Sequence, residues 1–267
     1  MEKTVEKSVA SPKPRLKEDT HPGRVKKSKK EAEKGEFYLD LEEMAQRGLH
    51  LGHKTSKLHP KMARFVFGIR NTIHIINLES TKEEFEKALR FIHELVSQGK
   101  ILLFVGTKIQ FKTMVQEMAQ TLNFPYVTER WLGGTFTNFE VIRKRVEHFK
   151  ELEKKIENRE EMEKYTKKER AILEEELGQL RTKFEGIKNL ENIPDAVFLL
   201  DIRKDVLAIK EARMKGVKII AISDTNCDPS LVDFPIPAND DAISSVRYIL
   251  EKVKEVILKT KSQISKE

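Results

Sequence analysis

The stretch ILLFVG at residues 101–106 decides the fold of this chain. An uninterrupted apolar run of this length is typical of a strand buried on both faces of a parallel sheet. Comparable runs follow at Ala196–Leu200 and Lys218–Ile222, and an amphipathic segment lies between them. This alternation of strands and helices predicts a doubly wound α/β protein with a parallel sheet and helices on both of its faces.

Working outward, helical spacing and turn residues place the other elements of the fold. One helix is predicted to begin at a capping box, Ser80-Thr81-Lys82-Glu83, and to stop before Gly99. The remaining predicted elements are helices at Leu41–Arg47, 111–122, Asp205–Lys215 and Asp240–Lys259, and strands at Phe65–Phe67, Ile73–Ile76, Tyr126–Val127 and Phe234–Ile236.

Residues 138–189 interrupt this alternation with highly charged helical sequence. A heptad spacing and a second capping box at Thr166–Glu169 predict an inserted antiparallel coiled-coil hairpin, with arms of about 30 Å that project from the core. Such an insertion suits contact with a macromolecule, although a solvated decoration is the simpler alternative. The heptad positions are Leu173, Leu177, Leu180, Phe184 and Ile187.

Composition and charge exclude several classes of protein. The net charge is +7, and the 11 basic and 7 acidic residues of 1–36 supply +4 of it. No apolar run approaches the about 18 residues that span a bilayer, so we expect no membrane protein. Cys227 is the only cysteine, which excludes a disulfide scaffold and a four-thiolate zinc site. We expect a disordered basic arm at 1–36, a sheet domain at 37–137 and 190–259, the insertion at 138–189 and a flexible tail at 260–267.

Motifs for catalysis are weak in this sequence. Gly106-Thr107-Lys108 lacks the second glycine and the hydroxyl of a phosphate-binding Walker loop. The polar loop Ser223–Pro229 offers Cys227 as a nucleophile, but ordinary turn chemistry explains the loop equally well. His50, His53 and His59 allow a zinc site, but no fourth ligand is evident among flanking lysines. We therefore expect neither metal nor cofactor.

Basic residues in the loop after His50 point instead to nucleic acid. Lysine and arginine side chains at this density supply phosphate contacts that do not depend on base sequence, although a solvated loop is the alternative. Arg130 is a second candidate contact. Its neighbour Trp131 is interpreted as an anchor in the core rather than a base-stacking residue, beside the conformationally free pair Gly133 and Gly134. The basic string is Lys54, Lys57, His59, Lys61, Arg64 and Arg70.

A series of motifs resembles, in order, the family of the second protein of the small ribosomal subunit, and fits its bacterial-type branch. The resemblance covers about Leu41 to Lys259. Two positions depart from the family pattern: His59 stands where asparagine is usual, and Lys108 lacks a second basic residue after it. The matching motifs are HLGHKT (50–55), HPKM (59–62), FGIRN (67–71), IHIINL (73–78), FVGTK (104–108), RWLGG (130–134), PDA (194–196), AIKEA (208–212), DTNCDP (224–229) and IPANDDAI (236–243).

This resemblance implies a flavodoxin-like sheet domain with an inserted hairpin and a non-enzymatic, cytoplasmic protein of the ribosome. Its implied partners are small-subunit ribosomal RNA and neighbouring ribosomal proteins, including the large one that recruits messenger RNA; we expect no homo-oligomer. The alternatives are an α/β enzyme or an adaptor that binds a phosphorylated ligand at the sheet switch point. The predicted RNA-binding residues are His50, His53, Lys54, Lys57, His59, Lys61, Arg64, Arg70, Lys108 and Arg130.

Overall fold

The computed structural model describes residues 37–264. The predicted basic arm at 1–36 and residues 265–267 of the predicted tail lie outside the described residues. Between 37 and 264, no helix is both long and hydrophobic enough to pass through a lipid bilayer.

Eight strands form two sheets in this part of the chain. In chain order the strands are β1 (Leu51–Lys54), β2 (Val66–Arg70), β3 (Ile73–Ile76), β4 (Leu102–Val105), β5 (Tyr126–Val127), β6 (Ala196–Leu199), β7 (Lys218–Ser223) and β8 (Phe234–Pro237). The larger sheet is parallel, with the order β5-β4-β6-β7-β8, and the smaller sheet is antiparallel, with the order β1-β3-β2. The order of the parallel strands is that of flavodoxin-like folds, which confirms the predicted fold class.

The helices cover both faces of the parallel sheet. They are α1 (Leu41–Gln46), α2 (Leu78–Ser97), α3 (Lys112–Leu122), α4 (Phe139–Glu157), α5 (Arg159–Glu163), α6 (Lys167–Phe184), α7 (Val206–Lys215) and α8 (Ile243–Ile264). Successive side chains of a strand point to opposite faces. Accordingly, Leu102 and Phe104 pack with α2, α3 and α8, whereas Leu103 and Val105 pack with α4, α6 and α7.

Helix α2 begins earlier than predicted. Its N-cap is Asn77, whose side chain accepts a hydrogen bond from the Glu79 N–H, so the predicted capping box at Ser80 is wrong. Thr81 is buried inside the helix and donates its hydroxyl to the Pro237 carbonyl, 2.6 Å away. Ser80 and Glu83 have the spacing of a capping box, but they lie within the first turns of α2, whose N-cap is Asn77.

Helix α8 ends later than predicted. It continues to Ile264, so the predicted flexible tail is wrong for residues 260–264. Thr260 is buried and donates its hydroxyl to the Val256 carbonyl within the helix. The apolar stripe of α8 therefore extends past Lys259, because a buried threonine occupies a core position that a polarity pattern does not reveal.

The insertion is helical, and its second capping box is confirmed at Thr166. Two ion pairs join α4 to α6, from His148 to Glu176 and from Glu153 to Arg181, each at 3.2 Å. Along a regular antiparallel pair, a step of five residues forward on one helix is matched by a step backward on the other. From the first ion pair to the second, the residue number increases by five on both helices (148 to 153 and 176 to 181). These contacts do not follow the antiparallel pattern, so the antiparallel coiled coil stays a prediction.

The inner part of the insertion is a layer of the core. Ile142, Val146 and Phe149 of α4, and Phe184 of α6, are buried together with residues of β4 and β6. The insertion therefore covers one face of the parallel sheet, which a purely projecting hairpin would not do.

Candidate nucleic-acid interface

The small antiparallel sheet is built around a tight hairpin. Arg70 of β2 pairs with Ile73 of β3, which leaves Asn71 and Thr72 as the two turn residues. Both have positive φ, +48° and +63°. Positive φ at both central residues is the mark of a type I′ turn, whose twist matches that of the flanking strands.

This sheet lies against the loop that follows β7. The backbone N–H groups of His53 and His59 donate to Thr225, to its hydroxyl at 2.9 Å and its carbonyl at 2.8 Å. A Cβ atom on Gly52 would lie only 2.6 Å from the Thr225 methyl group. Glycine at position 52 therefore allows the close approach that fixes the small sheet at the carboxyl end of β7.

His53 uses both ring nitrogens inside the protein. Its Nδ1 lies 3.1 Å from the Asp224 carboxylate, and its Nε2 lies 2.9 Å from the Asn226 amide group and 3.4 Å from Asp241. The hydrogen bond with Asp224 outweighs the effect of burial and raises the pKa of His53 above 6.5. His53 thus secures β1 to the parallel sheet and is not directed toward an outside ligand.

Lys108 is enclosed by carboxylates. Its Nζ lies 2.9 Å from Asp201, 3.0 Å from Asp240 and 2.8 Å from Asp241. Burial acts to lower the pKa of Lys108, but the charge of Asp240 and the hydrogen bonds with Asp241 and Asp201 outweigh it and raise that pKa. This ammonium is held inside the protein, so the geometry does not support its predicted contact with RNA phosphate.

The carboxylates around Lys108 stand at the carboxyl edge of the parallel sheet, where flavodoxin-like folds bind ligands. Burial raises the pKa of Asp240 to about 7 and that of Asp205 to about 6. The cavity beside Asp240 has a volume of about 330 Å³ and is lined by acidic as well as basic side chains. Burial also raises the pKa of the Cys227 thiol to about 12, which leaves it protonated and unsuited to nucleophilic attack.

Five of the predicted cationic contacts are exposed on or beside the small sheet. The Arg64 guanidinium lies 4.5 Å from the centre of the Phe65 ring, and this contact restrains the arginine side chain. Lys61 is partly engaged, because its Nζ lies 2.8 Å from Asp228 and 2.6 Å from Ser230. The exposed cations are Lys54, Lys57, Lys61, Arg64 and Arg70.

The other predicted contacts occupy different settings. His59 caps a short 3-10 helix by accepting the Lys61 N–H at its Nδ1. The Nδ1 atom of His50 is buried without a hydrogen-bond partner. Arg130 is exposed after β5, in a groove it shares with Leu207 and not with the small sheet. The structure therefore brings together the exposed cations between residues 54 and 70 but separates them from Arg130.

Trp131 lies in the core where α4 begins. Its ring is 5% exposed and contacts Phe136 edge-on at 4.8 Å. Gly134 has φ of +94°, and its N–H donates to the buried carboxylate of Glu211, which also accepts from the Phe136 N–H. Glu211 therefore organises the loop around the predicted anchor Trp131 and the predicted pair Gly133 and Gly134, a role that sequence reasoning missed.

Two further features of the small sheet were also missed. Between Glu43 and Glu79 the sequence contains no aspartate or glutamate, although it contains six lysines and arginines. Within this acid-free segment (residues 44–78), Phe67 is 80% exposed and Ile69 is 64% exposed. The absence of acidic residues is visible in the sequence, whereas the exposure of two strand residues requires the structure.

Comparison with known proteins places most of the chain in one family. A family model described as ribosomal protein S2 matches residues 44–260. Proteins named small ribosomal subunit protein uS2 are 40% identical in Endomicrobium trichonymphae, over 86% of this chain and 93% of that protein, and 40% identical in Coprothermobacter proteolyticus, over 82% of each. The namesake in Helicobacter hepaticus is 38% identical over 84% of this chain and 85% of its own length.

Proposed function

The chain belongs to the ribosomal protein S2 family, and from that premise we propose that the small antiparallel sheet is the surface that binds small-subunit ribosomal RNA. The protein is a structural constituent of the small ribosomal subunit and not an enzyme. As such, it associates with ribosomal RNA and with other proteins of the subunit.

The acid-free segment is the observation that carries the proposal. Overall the charges nearly balance, with 50 basic and 43 acidic residues, so a segment from which acidic residues are missing stands out. The exposed cations Lys54, Lys57, Arg64 and Arg70 all belong to it. Phosphate groups favour such a surface because each contact releases condensed counterions from the RNA.

The mechanism follows from how the small sheet is held. Hydrogen bonds from His53 and His59 to Thr225 fix the sheet on the rigid parallel core. Phosphate contacts made by a rigid surface determine position and orientation on the RNA and carry little base specificity. His50, His53 and His59 then support the cationic surface from within, and Lys61 lies at its margin beside Asp228.

The helical insertion and Arg130 supply a second surface in this proposal. The outer part of the insertion, around the capped start of α6 at Thr166, is exposed and highly charged. It suits contact with neighbouring ribosomal proteins, among them the large protein that recruits messenger RNA. The protein would act in the cytoplasm as a single copy within each ribosome.

An enzyme or a phosphate-binding adaptor would use the switch point of the parallel sheet. That edge is filled by Asp201, Asp240 and Asp241 around Lys108, and the carboxylates disfavour an anionic ligand there. The small sheet is thus the better candidate for phosphate contact.

The test measures how RNA affinity depends on salt. In a variant that combines Lys54→Gln, Lys57→Gln and Arg70→Gln, the slope of log K against log salt for a small-subunit rRNA transcript should fall by about 2 to 3. A matched control combines Arg90→Gln, Lys100→Gln and Lys259→Gln, which are exposed residues outside the acid-free segment. Equal slopes for the two triple variants would move the RNA surface elsewhere.

A further inference from the structure

The groove that Arg130 shares with Leu207 is a cavity at the carboxyl edge of the parallel sheet. Its volume is about 840 Å³, and its lining residues follow β4, β5 and β6 or belong to α6 and α7. Strands β4 and β6 flank the switch point of the flavodoxin-like strand order, where such folds bind small ligands. The position and volume of the cavity are therefore those of a small-molecule site.

This cavity is distinct from the acidic cluster around Lys108. Asp240 and Asp241 line the neighbouring cavity beside His53, which shares only Lys204 with this one. The lining also contains no residue of the acid-free segment. The cavity is thus separate from the proposed RNA surface.

Much of the cavity wall is apolar. Trp131, Leu132 and Leu207 line it, and Leu207 is 47% exposed in the first turn of α7. A wall of this kind receives the flat or apolar part of a ligand, while a few polar groups fix its orientation.

Three cations from different parts of the chain line the same cavity. Arg130 follows β5, Lys183 belongs to α6 and Lys204 precedes α7, and all three are exposed. In the described part of the chain none of them forms an ion pair, because the exposed carboxylate of the wall, Glu129, pairs with Lys112 instead. Three positive charges at an apolar cavity fit a ligand that carries an anionic group.

The wall also contains two buried polar atoms that lack a hydrogen-bond partner among the described residues. They are the donor Nε1 of Trp131 and the acceptor Oδ2 of Asp205. The other carboxylate oxygen of Asp205 accepts from the Thr107 hydroxyl at 2.9 Å. Since buried polar groups are normally paired, the two atoms fit a ligand that carries both an acceptor and a donor.

From these observations we propose that this cavity binds a nucleotide, with its base against the apolar wall and its phosphate on Arg130, Lys183 and Lys204. A nucleobase has flat apolar faces and carries donors and acceptors at its edge, and the phosphate supplies the anionic group. The inference goes beyond the proposed RNA surface. The nucleotide comes either from solution, as a free mononucleotide, or from an unpaired position of the ribosomal RNA.

The fluorescence of Trp131 tests the proposal, because Trp131 is the only tryptophan of the chain and lines the cavity. In titrations of the full chain with the ribonucleoside monophosphates, at least one of them should change this fluorescence saturably. The corresponding nucleoside should bind about tenfold more weakly or worse, because it lacks the charge-assisted hydrogen bonds of the phosphate.

Lys183→Gln removes one of the three cations and should weaken binding about tenfold, the effect of losing one charge-assisted hydrogen bond. Lys168→Gln is the matched control, since Lys168 is exposed on the same helix but does not line the cavity. It should bind the nucleotide as the parent does. Both variants should unfold at the temperature of the parent, because both lysines are exposed.

A small-subunit rRNA transcript distinguishes the two sources of the nucleotide. If the transcript changes the fluorescence of Trp131 and Lys183→Gln weakens this response, the source is an unpaired nucleotide of the RNA. If only a monophosphate changes it, the ligand is a free nucleotide.

The variant that combines Lys54→Gln, Lys57→Gln and Arg70→Gln should bind the monophosphate unchanged, so a failure of the proposed RNA surface would leave this inference standing. Two results would overturn it. One is the absence of any fluorescence change with the monophosphates and the transcript alike. The other is an equal effect of Lys183→Gln and Lys168→Gln on binding.

Discussion

The sequence predicts that Lys108 contacts RNA, whereas in the structure its ammonium is held inside the protein by carboxylates. Its ammonium lies within 3.0 Å of the carboxylates of Asp201, Asp240 and Asp241. Lys108→Met would remove the ammonium that lies between these three carboxylates. Since removal of one partner of a buried ion pair costs about 3–5 kcal/mol, the free energy of unfolding should fall by about 3 kcal/mol in urea denaturation at pH 7.5.

Lys87→Met is the matched control for this substitution. Lys87 is exposed and pairs with Glu84 on the surface of α2 at 2.8 Å, so its loss should cost less than about 1 kcal/mol. Equal effects of the two substitutions would mean that the cluster around Lys108 is hydrated and contributes little to stability.

The same cluster predicts how stability changes with pH. The pKa of His53 is raised above 6.5 in the folded protein, so its contribution is complete below pH 6.5 and is lost as the pH rises past the folded value. Burial raises the pKa of Asp240 to about 7, so the folded state binds a proton that the unfolded state releases near pH 4. Both effects make the protein less stable as the pH rises.

Urea unfolding from pH 5 to pH 8.5 measures this trend. The free energy of unfolding should decline with rising pH, and His53→Gln should flatten the part of the decline above pH 6.5. Asp240→Asn should flatten the part below pH 7, because the amide resembles the protonated acid. A parent protein whose stability rises over this range would contradict the assignment.

For single residues, the sequence predicted which cations are exposed better than it predicted which side chains they contact. Lys54, Lys57, Arg64 and Arg70 were predicted as exposed cations, and they are exposed. The environment of Lys108 was not predictable, because Asp201, Asp240 and Asp241 come from loops about 90 to 130 residues away. Only the closure of the parallel sheet brings these side chains to the same edge.

Among the elements, the turn that ends α6 gives a sharp prediction. A Cβ atom on Gly186 would lie 2.0 Å from the backbone carbonyl oxygen of Tyr126 in β5. Neither backbone can move without separating the insertion from the sheet, so Gly186→Ala should destabilise the protein by about 3 kcal/mol. Thermal and urea unfolding measure this loss.

Gly178, within α6 itself, is the matched control. No atom lies within 4 Å of a Cβ added there, and its backbone is helical. Gly178→Ala should therefore stabilise the protein by about 0.5–1 kcal/mol through the lower entropy of the unfolded chain. If both substitutions stabilise, the approach of Gly186 to Tyr126 is looser than the structure shows.

The elements themselves were predictable where burial dictates the sequence. Strands such as β4 and β6 are continuous apolar runs because both of their faces are covered. Strand β1 was missed because LGHK has no alternation of apolar and polar residues, and its strand conformation comes from pairing with β3. Local sequence therefore specified the buried sheet but not the small one that carries the proposed site.

For the molecule as a whole, the insertion combines two roles along its length. Near the sheet, Phe149 is fully buried in the core that also contains Val197 of β6. Farther out, residues 158–170 form α5 and the start of α6 and are mostly exposed. The sequence predicted one projecting hairpin because its charged composition did not show that α4 covers the parallel sheet.

Because one part of the insertion is buried and the other is exposed, we expect substitutions in the two parts to destabilise the protein to different extents. Phe149→Ala should cost about 3–5 kcal/mol, because it opens a cavity between α4 and the sheet. Replacing residues 163–169, which leaves the buried Met162 in place, with a Gly/Ser segment of equal length should cost only about 1 kcal/mol, largely from the lost cap at Thr166. Urea unfolding measures both losses of stability.

Filter binding to the small-subunit rRNA transcript tests whether the segment variant keeps its RNA affinity. Unchanged affinity would place RNA binding on the sheet side of the molecule and leave the outer insertion for protein neighbours. A large loss of affinity would assign RNA contact to the insertion itself.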